Sequence, residues 1–258
     1  MTEIGYVILG IVAGILSGLF GIGGGIVMVP SLVVFFGLDI LDANATSLAA
    51  MLLPVGALGV WAYYKAGYIN IKDSLWISLG LFLGSFAGGE IAVNISESLL
   101  AKLYAAILLY VALSYLDIFS YFRKKKSESD IYVKPIKNRS VWAYVLVGLG
   151  AGVFAGLFGK GGGIIIVPAL VAIFRYDPKM AAATSLAALQ LPVGLPSVIV
   201  YAQNGHLHIL NASLIAIGMI AGAFFGSKLG VRLPSASFKK IYALFLFFVA
   251  VFMVYKYI

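Results

Sequence analysis

The sequence predicts an all-α polytopic membrane protein built from two inverted repeats of five membrane segments each, about ten segments in all. Three observations lead to this fold class. The 258 residues are 62% hydrophobic and 11% charged, whereas soluble domains are roughly half apolar and one quarter charged. The apolar residues form runs long enough to cross a hydrocarbon core, which takes about 20 residues. The chain also matches itself in one continuous frame.

The internal match has an offset of 138 residues, which is the difference between positions 21 and 159. It holds without a gap from Gly10 to Ala112. Ten of thirteen positions agree in the segment that begins at Gly18, and eleven of fourteen agree in the segment that begins at Ala43. Glycines, prolines and Thr-Ser pairs that recur in one frame indicate an internal duplication, because apolar composition alone does not reproduce them.

The elements follow in the same order in both copies. Each copy begins with an apolar helix, continues through a glycine-rich break and a short apolar segment, and ends with three longer helices. The predicted long helices span 4–20, 44–64, 73–93 and 99–121 in the first copy, and 141–158, 182–201, 209–230 and 237–257 in the second. The short segments end near Gly37 and Phe174. The first repeat is therefore assigned to 1–121, a basic linker to 122–140, and the second repeat to 141–258.

An odd number of segments per copy inverts the second copy relative to the membrane, as in many secondary transporters. Lysine and arginine are enriched in cytoplasmic loops, so the linker, with seven such residues between positions 123 and 139, is predicted to be cytoplasmic. The loops that hold Lys65 and Arg175 then also lie inside, while Asp42 and both termini lie outside. The net charge of +8 follows from this topology and forms no basic amphipathic face, so no nucleic acid partner is predicted. We expect a multi-pass protein of a bacterial or archaeal cell membrane.

Each copy carries a Gly-Leu-Phe-Gly-x-Gly-Gly-Gly run, at 18–25 and 156–163. A nucleotide-binding loop is excluded, because Ile26 and Ile164 stand where a dinucleotide fingerprint needs glycine and no serine or threonine follows Lys160. The helix before each break reaches about 25 Å and the segment after it about 20 Å, against a hydrocarbon core of about 30 Å. The break is therefore predicted inside the membrane, where irregular backbone is either buried in protein or lines a cavity.

Backbone N–H groups at the start of a helix attract anions, so the two breaks predict a small-anion site near the midplane. The alternative is that the glycines only permit a tight hairpin between packed helices. The predicted substrate-binding residues comprise the two glycine runs and several polar side chains: Gly21, Gly23, Gly24, Gly25, Thr46, Ser47, Gly159, Lys160, Gly161, Gly162, Gly163, Thr184, Ser185 and Gln190.

The polar members of this set each have a second interpretation. Lys160 replaces Ile22, and a lysine at the membrane centre costs about 2.5 to 3.5 kcal/mol, so it either pairs with an anionic substrate or snorkels to the outer interface. Gln190 stands where the first copy has Leu52, and it is either a pocket residue or part of an interhelical hydrogen bond. The Thr-Ser pairs either cap helices or touch the ligand, and the proline eight residues later frees carbonyls at a cavity wall.

The remaining ionisable residues predict little chemistry. Glu90 is either a proton-coupling carboxylate or a residue in headgroup water. His206 and His208 share a loop that offers no carboxylate or third histidine to complete a metal site, and no metal is assigned. With no cysteine and no nucleophile beside a base, the sequence predicts neither a catalytic site nor a cofactor. Glycines spaced four apart are typical of close helix packing, either within one chain or in a homodimer.

The duplicated Gly-Leu-Phe-Gly-x-Gly-Gly-Gly-x-x-x-x-Pro motif, followed by Ala-x-Ala-Thr-Ser-Leu, resembles the sulfite exporter TauE/SafE family over nearly the whole chain. The resemblance implies an inner-membrane permease for sulfite, organosulfonates or related sulfur anions, without an ATP-binding subunit. The expected function is export of such an anion by alternating access, with membrane lipid and the small anion as partners. A passive anion channel and an uptake permease of the same architecture are the alternatives.

Overall fold

The computed structural model describes residues 2–20, 23–104, 106, 140–159 and 162–232. Within these residues the chain is all-helical, and residues 97–104 form a helical segment of their own. The helices of the described residues are α1 Thr2–Phe20, α2 Gly25–Phe35, α3 Ile40–Ala50, α4 Ala57–Lys65, α5 Ile71–Asn94, α6 Val141–Phe158, α7 Gly163–Ala172, α8 Pro178–Ala188, α9 Leu195–Gln203 and α10 Ile209–Arg232.

Helices α1, α5, α6 and α10 correspond to the predicted segments 4–20, 73–93, 141–158 and 209–230. Each contains an apolar stretch of at least 18 residues, which is long enough to cross a membrane. Helices α2 and α7 are apolar but shorter, as expected for the segments that follow the glycine breaks. Most of the predicted helix 99–121, all of 237–257 and nearly the whole linker lie outside the described residues. The total of ten segments and the domain boundaries therefore stay predictions.

The prediction of single helices at 44–64 and 182–201 is wrong. The structure has two helices in each place, α3 and α4 in the first copy and α8 and α9 in the second, separated by turns at 51–56 and 189–194. The cause is Pro54 in one turn and Pro192 in the other. A proline has no backbone N–H to donate and disfavours helical geometry in the residue before it, so the preceding helix ends.

The two copies have matching helices and matching contacts. The bounds of α3, α4 and α5 recur in α8, α9 and α10 at the offset of 138 residues found in the sequence. Helix α1 packs along α10, and its counterpart α6 packs along α5. The first helix of each copy therefore packs along the 24-residue helix of the other copy, α10 or α5.

Glycines permit this packing, because their helices approach until backbone meets backbone. A Cβ atom added at Gly14 would stand 2.5 Å from the carbonyl oxygen of Met219, and one at Gly152 would stand 2.4 Å from that of Leu81. These two contacts are themselves related by the 138-residue offset. The rows that pack within the chain in this way are Gly10, Gly14 and Gly18, Gly80, Gly84 and Gly88, Gly148, Gly152 and Gly156, and Gly218, Gly222 and Gly226. Of the two interpretations of these rows, the structure favours packing within one chain.

Two loop contacts join the copies at their ends. The Asp42 carboxylate at the start of α3 lies 2.7 Å from His206 Nδ1 and 2.9 Å from His208 Nε2. The expectation that the two histidines have no carboxylate beside them is therefore wrong. Tyr176, before α8, donates a hydrogen bond to Asp73 at the start of α5. Burial, together with that bond and the neighbouring Tyr144, raises the pKa of Tyr176.

Candidate functional site

The two proline turns lie together and line a cavity between the copies. Helix α3 packs against α9, and α8 packs against α4, so the turn of each copy meets the helix before the turn of the other. A Cβ atom added at Gly194 would lie 3.2 Å from the Leu48 side chain, and one at Gly56 would lie 3.1 Å from that of Leu186. The prolines thus bend both copies around a shared space.

This cavity has a volume of about 30 Å³, room for about two water molecules. Its walls come in equivalent pairs from the two copies: Leu48 and Leu186, Val55 and Val193, and Gly56 and Gly194. Within the described residues the lining carries no formal charge. The space is therefore small, mostly apolar and shared by the two repeats.

Two polar side chains line the cavity, and neither has a polar counterpart in the other copy. Gln190 stands where the first copy has Leu52, and Ser17 stands where the second copy has Ala155. A pocket residue was one of the two interpretations of Gln190 in the sequence, and the structure has Gln190 in the cavity lining. Its contact with substrate stays a prediction. Ser17 was missed, although the same asymmetry is visible in the sequence between Gly14 and Gly18.

The first glycine break reaches the same cavity. Gly23 lines it, and the adjoining Gly24 and Gly25 begin α2. Gly21 lies outside the described residues, as do Lys160 and Gly161, so the predicted position of the Lys160 ammonium group beside the substrate stays a prediction.

The second glycine break accepts hydrogen bonds from residues of the first copy. Gly159 ends α6 in a left-handed conformation, with φ of 64°, and Gly162 precedes α7 with φ of 67°. A Cβ atom at Gly159 would stand 2.5 Å from the Cα atom of Asn44, so both its conformation and its surroundings require glycine. Ser47 donates a 2.7 Å hydrogen bond to the Gly159 carbonyl, and Asn44 donates a 2.9 Å bond to that of Leu157.

The Thr-Ser pairs lie behind the cavity rather than in its described wall. Thr46, Ser47, Thr184 and Ser185 are fully buried. Thr184 accepts a hydrogen bond from the Asn70 backbone N–H at 3.3 Å, while the Thr46 hydroxyl is buried without a partner in the described part of the chain. In this conformation Ser47 and Thr184 therefore join elements of opposite copies, and their predicted contact with substrate stays untested.

Two tyrosines that the sequence reasoning missed anchor the ends of the first helices. Tyr63 on α4 donates to the carbonyls of Gly18 and Leu19 at 3.3 and 3.2 Å. Tyr201 on α9 donates to the Gly156 carbonyl at 2.8 Å. The two tyrosines are 138 residues apart, so their recurrence in one frame was the available signal.

Glu90 lies near the end of α5 and is half-buried. Its backbone carbonyl accepts a hydrogen bond from the Asn94 side chain. It does not line the cavity. Its role in proton coupling remains a prediction.

A bundle of apolar helices, four of which in the described residues are long enough to cross a membrane, defines a multi-pass membrane protein. Residues 6–253 match the Sulfite exporter TauE/SafE family, and the chain belongs to this family. The earlier resemblance is thereby confirmed.

Its relatives carry names of the same class. A Bacillus subtilis relative, "Probable membrane transporter protein YunE", is 27% identical over 90% of this chain and 89% of its own length. A probable membrane transporter protein of Methanocaldococcus jannaschii is 30% identical, with 88% and 84% covered. One from Haemophilus influenzae is 29% identical, with 96% and 97% covered. No solved structure matches the chain.

Proposed function

We propose that this chain is a secondary transporter that exports a small sulfur oxyanion, sulfite or an organosulfonate, by alternating access. The observation that carries the proposal is the cavity lined by equivalent residues of the two copies, in a chain that belongs to the TauE/SafE family. Transporters with inverted repeats bind substrate at the repeat interface, between discontinuous helices near the midplane. The proline turns and the glycine breaks supply such discontinuities here.

The reciprocal packing supports inversion of the two repeats. Helix α1 lies on α10 as α6 lies on α5, and the glycine contacts recur at the same offset. With five segments per copy, this exchange relates the two halves by a two-fold axis in the membrane plane. The linker is then cytoplasmic, the termini lie outside, and the Asp42 and Asp73 contacts lie at opposite mouths.

The two cavity walls supply a route for alternating access. Leu48 of α3 contacts Gly194, which precedes α9, and Leu186 of α8 contacts Gly56, which precedes α4. Opening the first pair would connect the cavity with the mouth at Asp42, because α3 and the segment after α9 meet there. Opening the second would connect it with the opposite mouth.

Anion binding rests on the two glycine breaks and on Lys160. The N-terminus of α2 begins at Gly25, two residues beyond the cavity-lining Gly23, and a helix N-terminus favours negative charge. Lys160 belongs to the equivalent break of the second copy and would add a full positive charge. Gln190 and Ser17 would add hydrogen bonds to the substrate.

Flux measurements in proteoliposomes test the function. The panel is sulfite, sulfoacetate, taurine, sulfate, acetate and chloride, each with and without an imposed pH gradient. Saturable flux of a sulfur oxyanion that responds to the gradient is the expected result. Non-saturable flux that ignores the gradient would indicate a passive channel, and flux of none of these anions would overturn the proposal.

Replacement of Lys160 tests the charge at the site. The Lys160→Ala variant is expected to raise KM for the transported anion about tenfold, because a charge-assisted hydrogen bond contributes roughly 1.5 to 3 kcal/mol. Lys72→Ala is the matched control, since Lys72 is exposed in the first turn of α5. Equal KM values in the wild-type protein and the Lys160→Ala variant would exclude Lys160 from the site.

A further inference from the structure

The amide of Gln190 has a fixed orientation. Its Nε2 atom donates a 2.9 Å hydrogen bond to the carbonyl of Leu186, one helical turn earlier. If the amide were flipped, its oxygen would face the carbonyl oxygen of Leu186 and the two acceptors would repel each other. The hydrogen bond therefore assigns the nitrogen and the oxygen of the Gln190 amide. The Oε1 atom is buried and has no hydrogen-bond partner in the described residues. Gln190, a residue of the cavity lining, thus carries a buried and unsatisfied acceptor.

The surroundings of this amide come from the other copy. Gly56 faces it, and a Cβ atom added there would stand 2.6 Å from Nε2. The space for the amide therefore depends on glycine at position 56. In the first copy the counterpart of Gln190 is Leu52, so only one side of the cavity carries the acceptor.

A buried acceptor without a partner is costly, and a ligand that brings a donor removes that cost. An oxyanion with no proton presents only lone pairs, which repel Oε1. A dianion also has a larger desolvation cost in a small, mostly apolar cavity. Ser17 adds one hydroxyl, which both donates and accepts, and therefore suits an oxygen of the same ligand.

We propose that the Gln190 Oε1 atom makes this cavity selective for monoanions that carry a hydrogen-bond donor, either a protonated oxyanion such as hydrogen sulfite or a sulfonate with a hydroxyl or ammonium group. The inference rests on the proposed transport function and names the substrate class of the same site. Gln190 then determines specificity by accepting the donor of the ligand. Fully deprotonated anions are transported poorly.

The test compares two monoanions of similar size that differ by one hydroxyl, ethanesulfonate and 2-hydroxyethanesulfonate, in proteoliposomes. The wild-type protein is expected to have a KM about tenfold lower for the hydroxylated anion, because a site built around a hydrogen bond rejects an analogue that lacks it. In Gln190→Leu, which copies Leu52, the KM values are expected to agree within about twofold. Gln203→Leu, which removes an exposed amide at the end of α9, is expected to keep the wild-type preference.

The outcomes separate the two proposals. Transport of neither anion, nor of sulfite, by the wild-type protein would overturn the transport function. Transport of both anions without preference, or a preference that survives in Gln190→Leu, would overturn the selectivity alone. Gln190→Met, which keeps the side-chain length without the acceptor, gives the same comparison if the leucine variant does not fold. Thermal shifts of each detergent-purified variant with the two anions provide a readout that does not depend on flux.

Discussion

The contact between α5 and α6 predicts opposite effects for the same substitution at two positions of one helix. Gly152 and Gly150 are both glycines of α6, two residues apart. A Cβ atom at Gly152 would stand 2.4 Å from the Leu81 carbonyl oxygen and 2.9 Å from the Ser85 backbone nitrogen. One at Gly150 would meet no atom of the described residues within 4 Å. The crowding atoms at Gly152 are backbone, so no side-chain rotation relieves it.

The magnitude follows from the required separation. Real Cβ contacts do not fall below 3.0 Å, so the two helices must part by about 0.6 Å at Gly152. Overpacking of this kind typically costs 1 to 3 kcal/mol, while the gain in helix propensity from glycine to alanine, up to about 1 kcal/mol, applies equally to both positions. A difference of about 2 kcal/mol corresponds to roughly 4 to 8 °C in melting temperature.

The assay is the loss of the monodisperse peak on size-exclusion chromatography after heating the detergent-purified protein. Gly152→Ala is expected to melt several degrees below Gly150→Ala, and Gly150→Ala to melt at or slightly above the wild-type temperature. A Cβ atom at Gly84 would stand 2.1 Å from the Leu149 carbonyl, so Gly84→Ala should reproduce the loss from the α5 side. Equal melting of the two α6 variants would refute the close approach of these helices.

Three further predictions concern the contacts between the copies, each tested by the same melting assay. Ser85 donates a hydrogen bond to the Val193 carbonyl at 2.8 Å, so Ser85→Ala should lower the free energy of unfolding by about 0.6 kcal/mol. The control Ser213→Ala, which removes an exposed hydroxyl bonded to its own helix, should lower it less. Equal losses of stability in the two variants would contradict the role of Ser85 in joining the copies. A double-mutant cycle between Asp42 and His206 should give a coupling energy of roughly 0.2 to 1 kcal/mol, since both side chains are partly exposed. A coupling energy near zero would show that this contact does not stabilise the packing of the two copies. Because the folded-state pKa of Tyr176 is raised above the unfolded value of about 10, its stabilisation is present below pH 10 and is lost as pH rises further. Tyr176→Phe should therefore melt with a weaker dependence on pH above 10, and an identical dependence would argue against the burial of this hydroxyl.

The sequence predicts most of the described fold because the duplication and hydrophobicity act over long segments. The bounds of α1, α5, α6 and α10 agree with the predicted helices within a few residues. The turns at 51–56 and 189–194 were missed because the residues on both sides are apolar, and hydropathy does not distinguish a bent segment from a straight one. Pro54 and Pro192 marked the bends, and the recurrence of the proline in both copies was the stronger indication.

The candidate site was predictable where the two copies differ and unpredictable where helix packing decides. Gln190 was identified as a break in symmetry, and Ser17 could have been found by the same comparison with Ala155. The position of Ser47 depends on which helix of the other copy lies against α3, and one sequence does not specify that partner. Its hydroxyl is bonded to the Gly159 carbonyl, although the motif alone suggested contact with substrate.

The hydrogen bonds around the two proline turns differ between the copies, and this difference bears on how the cavity opens. In the second copy, the Ala188 and Val193 carbonyls accept hydrogen bonds from Ser78 and Ser85 of α5 at 2.7 and 2.8 Å. In the first copy, the positions equivalent to these serines are Ala216 and Ala223 on α10, which have no hydroxyl to donate. Two hydrogen bonds thus join the turn that carries Gln190 to α5, whereas α10 offers no matching serine to the turn at 51–56. The turn at 51–56 lacks these hydrogen bonds to a serine, so it can move at a lower cost in free energy than the turn at 189–194. Because the bonds to α5 hold the turn that carries Gln190, Ser85→Ala should weaken the selectivity for ligands with a donor as well as the stability of the protein.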